Sequence, residues 1–379
     1  MKILYISGSD LPSRKTNSIN AMNMCQGFAK NNNIVKLTGF KRNFNREVVS
    51  SIHNFYKVSN SFNIKTIKIG WLNKSVLVYL RDFIYGIYIF FTIRKFKPDV
   101  IYSRLVFIDL FFVTVKIPVI YEMHSPGPTT KNFFESFLFK KLIQKQRINR
   151  VITSTNQLKS FISKKFPNLD VIVARVGANT APTYSEKEIE SFKLRFLGKA
   201  ENFNVGYTGH IDELRGMKVI INIAKRLPDM KFHIVGGFEK DINHWKNIND
   251  AKNIIFHGFV SPDLVPKYLA CFDIVLMPQQ FRKAARAPFG KGMSSLKLPE
   301  YLSNGCAIIA SSIPVTFEVV KHMHDALIAE ATDIESWINN IKLLQNNLEL
   351  RNTLKNNAKN TFKKNHNWTN RARLVLLDL

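Results

Sequence analysis

A chain of 379 residues, 45% of them hydrophobic, is too long for one typical core and has enough apolar side chains to build two. Its formal charge of +27 is unevenly spread: residues 1–182 hold 28 Lys+Arg against 8 Asp+Glu, and the remainder holds 27 against 20. The first half therefore calls for an anionic partner, which an acidic membrane face, a phosphate-bearing substrate or nucleic acid would each satisfy. Cys25, Cys271 and Cys306 are widely spaced with no Cys-x-x-Cys, so they read as reduced core residues of a cytosolic protein and not as a disulfide framework. The apolar run Ile3 to Ile6 stops at Gly8, too short for a signal peptide.

Ile3, Leu4, Tyr5 and Ile6 make a first strand, followed by a polar loop from Gly8 to Asn17 and a helix capped by Ser18 that runs to about Lys30. Strand, loop and helix open a doubly wound sheet. The loop lacks Gly-x-Gly-x-x-Gly, which argues against a nicotinamide site. Ile34 to Leu37 supply the next strand. After an irregular basic region comes an apolar helix over 76–96. Its core, 83–93, is half a membrane span flanked by Arg81, Asp82, Arg94 and Lys95, and reads as a buried or membrane-surface helix. Strands over 100–103 and 119–122 follow. In an open parallel sheet the ligand crevice lies at the carboxyl ends of the strands, which places Ser103, Arg104, Glu122 and His124 along one edge. His124 precedes Ser125-Pro126-Gly127-Pro128, which cannot continue a strand, so the ring is presented at the rim as a structural hydrogen-bonder or a catalytic group.

Residues 132–150 form a helix with Phe133, Phe134, Phe137, Leu138, Leu142 and Ile143 apolar and Lys140, Lys141, Lys145, Arg147 and Arg150 basic. It packs on its own sheet or lies on a membrane surface. Strands over 151–154 and 171–173 complete a first domain, residues 1–180, and 180–200 are linker plus helix. The alternation then restarts as a second domain, residues 181–379. Strands over 204–208, 231–235, 254–256 and 273–278 are separated by glycine turns and helices, and a basic loop carries Arg282, Lys283 and Arg286. Two such domains facing across a cleft suit a ligand.

The stretch from Ser294 to Gly305 carries the most chemistry. Pro299 is tolerated only in a first helical turn, so a helix begins near Ser294 or Ser295, and Gly305 supplies its left-handed stop. A helix start with serines and no acid offers free amides to an anion, and Glu300 just beyond can accept two hydrogen bonds from a vicinal diol such as a ribose. The segment from 334 to 365 is helical, with Trp368 anchoring the tail.

In their order, Lys2-Ile3-Leu4-Tyr5 with its helix, Pro98-Asp99-Val100-Ile101-Tyr102, Tyr121-Glu122-Met123-His124, Gly206-Tyr207-Thr208-Gly209, His257-Gly258-Phe259-Val260, Asp273 to Pro278 and the stretch ending in Gly305 carry a likeness. The chain resembles, over nearly its whole length, the retaining GT-B glycosyltransferases of family 4, which build bacterial surface polysaccharides and glycolipids. The resemblance implies an α/β fold of two doubly wound Rossmann-like domains. It implies transfer of a hexose from a nucleotide-sugar donor to a glycan or lipid-linked acceptor, with no cofactor or metal. It also implies a cytoplasmic enzyme, peripheral on the inner face of the cell membrane, with no nucleic-acid partner. The family's Glu-x7-Glu pair places its second member on Glu300 and its first on Gly292, although some similar members carry Ser-x-Leu-Lys before the second Glu. The Arg and Lys that clamp the diphosphate fall on His210 and Arg215, and the sugar-side histidine of the first domain on His124. The implied catalytic set is thus His124, Arg215 and His210. The donor set is Glu300, Ser294, Ser295, Leu296 and Gly209, with Phe259 and Val260 at the base. The glycine-rich acceptor loop is replaced by Thr16-Asn17-Ser18, which leaves Thr16, Asn17, Arg104 and Glu122 on the acceptor side.

No Asp-x-Asp triplet occurs to clamp a metal. The alternatives are a nucleotide-sugar epimerase or hydrolase on the same fold, an inactive family member given Gly292 and His210, and a nucleic-acid-binding protein suggested by pI ≈ 10.0. The last lacks an aromatic-basic recognition module or zinc spacing.

Overall fold

The computed structural model describes residues 1–41, 51–69, 72, 77–105, 117–126, 129, 133–198, 202–280 and 297–379. Ser294, Ser295, Leu296, Gly292 and the basic loop of Arg282, Lys283 and Arg286 lie outside them. The chain forms two compact units, Met1–Val176 with Trp368–Leu379, and Gly177–Asn367.

In the first unit the elements are β1 (Lys2–Leu11), α1 (Thr16–Lys30), β2 (Ile34–Lys41), α2 (Ile52–Tyr56), β3 (Asn63–Ile67), α3 (Val78–Phe96), β4 (Val100–Ser103), β5 (Val119–Met123), α4 (Phe133–Gln144), β6 (Ile148–Thr153), α5 (Asn156–Lys165) and β7 (Asp170–Val173). In the second they are α6 (Glu186–Phe196), β8 (Asn204–Thr208), α7 (Met217–Arg226), β9 (Lys231–Val235), α8 (Glu239–Asn247), β10 (Ile254–Gly258), α9 (Val265–Cys271), β11 (Ile274–Met277), α10 (Lys297–Asn304), β12 (Ile308–Ser311), α11 (Pro314–Phe317), β13 (Leu327–Ala329), α12 (Ile334–Asn346) and α13 (Leu348–Thr361). The chain ends with α14 (Trp368–Leu376), which belongs to the first unit.

Both sheets are parallel, ordered β3-β2-β1-β4-β5-β6-β7 and β10-β9-β8-β11-β12-β13. Strands covered by helices on both faces must be apolar on both, and the central ones are: Ile3, Leu4, Tyr5 and Ile6 are fully buried, as are Ile308, Ile309 and Ala310. The order reverses between β1 and β4 in one sheet and between β8 and β11 in the other. At such a switch point the loops at the carboxyl ends of the strands diverge and leave a crevice.

Several boundaries differ from the sequence reading. β1 continues to Leu11 because, past an irregularity after Ile6, Asp10 and Leu11 still pair with Phe40 and Lys41. Ser18 does not cap α1: the helix starts at Thr16, and the buried Ser18 hydroxyl lies 2.9 Å from Ser13 O and 2.8 Å from Lys15 O. The basic region holds an edge strand, β3, paired with β2. The helix expected over 132–150 ends at Gln144, and Ile148 and Arg150 enter β6. Arg150 is buried there, its Nε on Asp170 Oδ2 at 2.5 Å and its Nη1 on Val375 O at 3.1 Å.

The last helix departs most from expectation. The tail assigned to the second domain returns to the first, where α14 packs on α1. Gly27 lets the backbones meet, since a Cβ there would lie 2.5 Å from Trp368 O. Asn31 Nδ2 donates to Thr369 O at 2.8 Å, fixing the register. Periodicity cannot show this, because the packing partner lies more than 300 residues away. Gly27→Val should push the two helices apart, costing about 1–3 kcal/mol and lowering Tm by roughly 3–8 °C in a thermal melt.

Candidate active site

In the second unit the glycine ends of three strands are knitted together. Gly209 N donates to Val235 O at 2.8 Å, and Gly236 N donates to Gly258 O at 2.7 Å. Gly209 and Gly236 both have φ near +120°, and a Cβ on Gly236 would run into the Gly209 carbonyl, so the sheet edge is a bare backbone shelf. After β8 the chain makes a 3-10 turn, Glu213–Arg215, capped by the Asp212 side chain, which accepts from Arg215 N at 2.9 Å. Gly216, in the left-handed region, lets this turn press on Pro278 at the end of β11. Arg215 therefore sits at the switch point between β8 and β11, half-buried.

α10 is pinned over the same edge. Its buried Tyr301 accepts a hydrogen bond from Thr208 N at 3.0 Å. One turn earlier, Lys297 donates to Tyr207 Oη at 2.5 Å and packs against Gly209, where any side chain would displace it. Burial and the neighbouring Arg215 pull the Lys297 ammonium down to about 7, with Glu300 and Asp212 acting in the opposite sense. Protein crowding pushes the Glu300 carboxyl up to about 7 against the pull of Lys297. That side chain is exposed, however, so water screens part of the crowding. No described residue hydrogen-bonds the Glu300 carboxylate. Arg215, Lys297 and Glu300 together give two cations and an unengaged carboxylate beside a shelf of backbone. His210 is exposed next to them, its carbonyl accepting from the Tyr207 hydroxyl. Phe259 is 60% exposed and Val260 packs against the core.

In the first unit a second polar cluster lies at the ends of β4 and β5. Glu122 is buried at 5% exposure and accepts from Tyr102 Oη, His124 Nε2 and Arg371 Nη2, each at 2.7 Å. Burial opposes its ionisation, but Arg371, His124 and Arg104 hold the carboxyl well below the usual range. Burial keeps the His124 ring below its ordinary pKa despite Glu122 beside it. Tyr5 Oη and Arg104 Nη1 are buried without a hydrogen-bond partner among the described residues, and both couple electrostatically to Glu122. Thr16 and Asn17, at the start of α1, are exposed.

The structure thus brings Arg215, Glu300, Gly209 and His210 to one edge and His124, Glu122 and Arg104 to another. Sequence reasoning passed over two residues. Lys297 carried a signal, the Ser-x-Leu-Lys preceding Glu300; Arg371 carried none, lying 249 residues from Glu122. Among the described residues no group of three or more His, Cys, Asp or Glu side chains is placed to hold a metal.

Two parallel-sheet α/β units with these switch-point sites have the architecture of the GT-B glycosyltransferases, and comparison with solved structures agrees. Anabaena HepE in complex with UDP superposes with a TM-score of 0.72 at 16% identity, covering 99% of this chain and 98% of that one. Residues 186–361, which lie within the second unit, match the family described as glycosyl transferases group 1. Among curated relatives, TuaH of Bacillus subtilis, assigned to teichuronic acid biosynthesis as a glycosyltransferase, is 25% identical over 46% of this chain and 43% of its own length. The alpha-galactosylglucosyldiacylglycerol synthase of Streptococcus pneumoniae is 34% identical over 22% of this chain and 24% of its own. The matched stretches thus take in less than half the length of these two relatives.

Lys297 also predicts a pH dependence. Its folded pKa lies below its unfolded one, so the charged form costs the fold stability. That cost is full below about pH 7 and fades as pH rises toward the ordinary lysine range. Lys297→Met should therefore raise Tm in the ligand-free protein, with a larger gain at pH 6.5 than at pH 9.5 in paired thermal melts.

Proposed function

We propose that the chain is a retaining glycosyltransferase. In this reading it moves a hexose from a nucleoside-diphosphate sugar to a glycan or lipid-linked glycan, without a metal, at the anionic face of a membrane. The observation that carries this reading is the pairing of Arg215 and Lys297 beside the unengaged Glu300 carboxylate at a strand-end switch point. Breaking the sugar–phosphate bond leaves negative charge on the diphosphate. Fixed cations in a partly desolvated site stabilise that charge more than water does. Arg215 presents a planar guanidinium whose paired N–H donors match phosphate oxygens. Lys297, held by Tyr207, regains its proton fully when the diphosphate arrives, since a nearby anion favours the charged form. Glu300 accepts hydrogen bonds from the ribose hydroxyls, and the glycine shelf admits the diphosphate close to backbone amides.

Among the described residues the other carboxylate that acts on Lys297, Asp212, is engaged as the cap of the Glu213–Arg215 turn. Retention then follows by front-face displacement, with the acceptor proton passing to the departing phosphate. His124, neutral at working pH, supplies a polar contact for the sugar, and Arg104 lies on the acceptor side. The HepE structures, one with UDP and one with UDP-glucose, support a nucleotide-sugar donor.

The membrane part of the reading rests on α3. Tyr79, Phe83, Ile87 and Phe91 are 60%, 49%, 40% and 63% exposed. They follow one another at intervals of four, so they share a helix face, and Arg94 and Lys95 close its last turn. No described helix is long and apolar enough to cross a membrane. An exposed apolar stripe with cations at its end suits the surface of an anionic bilayer.

A thermal-shift series with UDP, GDP, ADP and CMP in EDTA tests the donor site. One nucleotide should raise Tm, and Glu300→Ala should weaken its binding by about 10-fold or more; no response to any nucleotide would overturn the reading. Flotation with phosphatidylglycerol vesicles at low salt tests the surface. The wild type should float and a Phe83→Glu/Phe91→Glu variant should stay with the soluble fraction, whereas a wild type that stays soluble counts against membrane docking.

A further inference from the structure

The Glu122 carboxylate gathers donors from three elements: Tyr102 on β4, His124 beyond β5 and Arg371 on α14. Oε2 takes Tyr102, and Oε1 takes both His124 Nε2 and Arg371 Nη2. The Glu122 and Arg371 side chains are only 4% and 3% exposed, whereas His124 keeps 25%. Of the three, only the imidazole is open to a ligand. A carboxylate accepts hydrogen bonds and donates none, so His124 Nε2 carries the proton and Nδ1 keeps its lone pair. No described residue hydrogen-bonds Nδ1.

Arg371 does more than dock the tail. Its Nε also donates to Arg175 O at 3.0 Å, which fixes the plane of the guanidinium before it reaches Glu122. Without that cation, a carboxylate this deeply buried would take up a proton. A protonated Glu122 could donate to the imidazole, allowing the other tautomer. We propose that Arg371, delivered by the last helix, is a positioning residue for His124. It holds Glu122 ionised, Glu122 fixes the tautomer and orientation of the ring, and Nδ1 is left to accept a hydrogen bond from a sugar hydroxyl. The sugar hydroxyl rests on the glycosyltransferase reading; the control of the ring by Arg371 does not. The charged and titratable groups around the ring are Glu122, Arg104 and Arg371, with Tyr102 on the other carboxylate oxygen and Tyr5 coupled electrostatically to Glu122.

The test is 15N NMR of the histidine rings in the full-length protein, with His124 assigned by its loss in His124→Ala. At pH 7 the wild-type ring should be neutral and protonated at Nε2. Arg371→Lys, which keeps the charge, should preserve that state, and Arg371→Met should give a mixture of tautomers. Should Arg371→Met fail to fold, Glu122→Gln/Arg371→Met removes both buried charges together, and the same mixture is expected. An Nδ1-protonated ring in the wild type, or an unchanged Nε2-protonated ring in a folded variant lacking the cation, overturns the proposal.

A transfer assay adds a second readout. Arg371→Met, or the paired variant, should lower kcat about 10- to 100-fold with little change in donor KM, and by no more than about 2-fold in a His124→Ala background. Equal losses in both backgrounds would mean that Arg371 acts on the fold alone. Absence of any nucleotide response overturns the glycosyltransferase reading and leaves the NMR result to decide the role of Arg371.

Discussion

An ionised carboxylate cannot remain buried in a sheet-based core without a cation, and the first unit is arranged around that constraint. Glu122 is set at the end of β5 by the parallel register of β4, β5 and β6, which gives it no choice of position. The cation that answers it comes from the far end of the chain. Such a pair gains little net stability, because desolvation offsets the Coulombic attraction, but loss of one member strands a charge at a cost of about 3–5 kcal/mol. The pair therefore acts as a register device. It ties α14 to a single seat on the first unit, reinforced by the close approach at Gly27 and the Asn31 hydrogen bond.

The second unit meets a different constraint. Close approaches at the carboxyl ends of its strands leave no room for side chains on several of the strand-end turns. Glycines at 209, 216, 236 and 258 adopt left-handed backbone there. The side chains that reach the edge come from beside the shelf: Arg215 from the turn after β8, and Lys297 and Glu300 from α10. Tyr207 and Tyr301 tie these together, each using a buried hydroxyl to hold a neighbouring element in place. Lys297 is kept poorly solvated, so its charge is unfavourable in the free protein.

The two sites share a logic. In each, one titratable group is shifted by burial and by a neighbouring charge from a different element: Lys297 by Arg215, and Glu122 by Arg371. In each, a group that water reaches, Glu300 or His124, is left with hydrogen-bonding capacity to offer.

Much of this was legible in the sequence because it is local. The alternation of apolar strands with helices, the glycine turns, Gly305 as a left-handed stop and the edge position of Glu122, His124, Arg215 and Glu300 all follow from short-range pattern, since strand and helix periodicities repeat within a few residues. Lys297 was half-legible: its neighbours in sequence marked the helix start, but its placement against Gly209 and Tyr207 depends on how α10 lands on β8. The extra strand β3 escaped because a basic edge strand lacks the apolar run that marks a central one, and the entry of Arg150 into β6 escaped because its partners, Asp170 and the Val375 carbonyl, are distant in sequence. Arg371 was invisible. It lies on a short, mixed helix with no motif, and its meaning comes only from a carboxylate 249 residues away. The sequence by itself determined most of the strands, their carboxyl-end positions and the alternation of strand and helix, all of which are encoded by neighbours along the chain. Only the tertiary structure decided which cation serves which carboxylate and to which unit the last helix belongs, because burial and charge pairing are properties of distance in space.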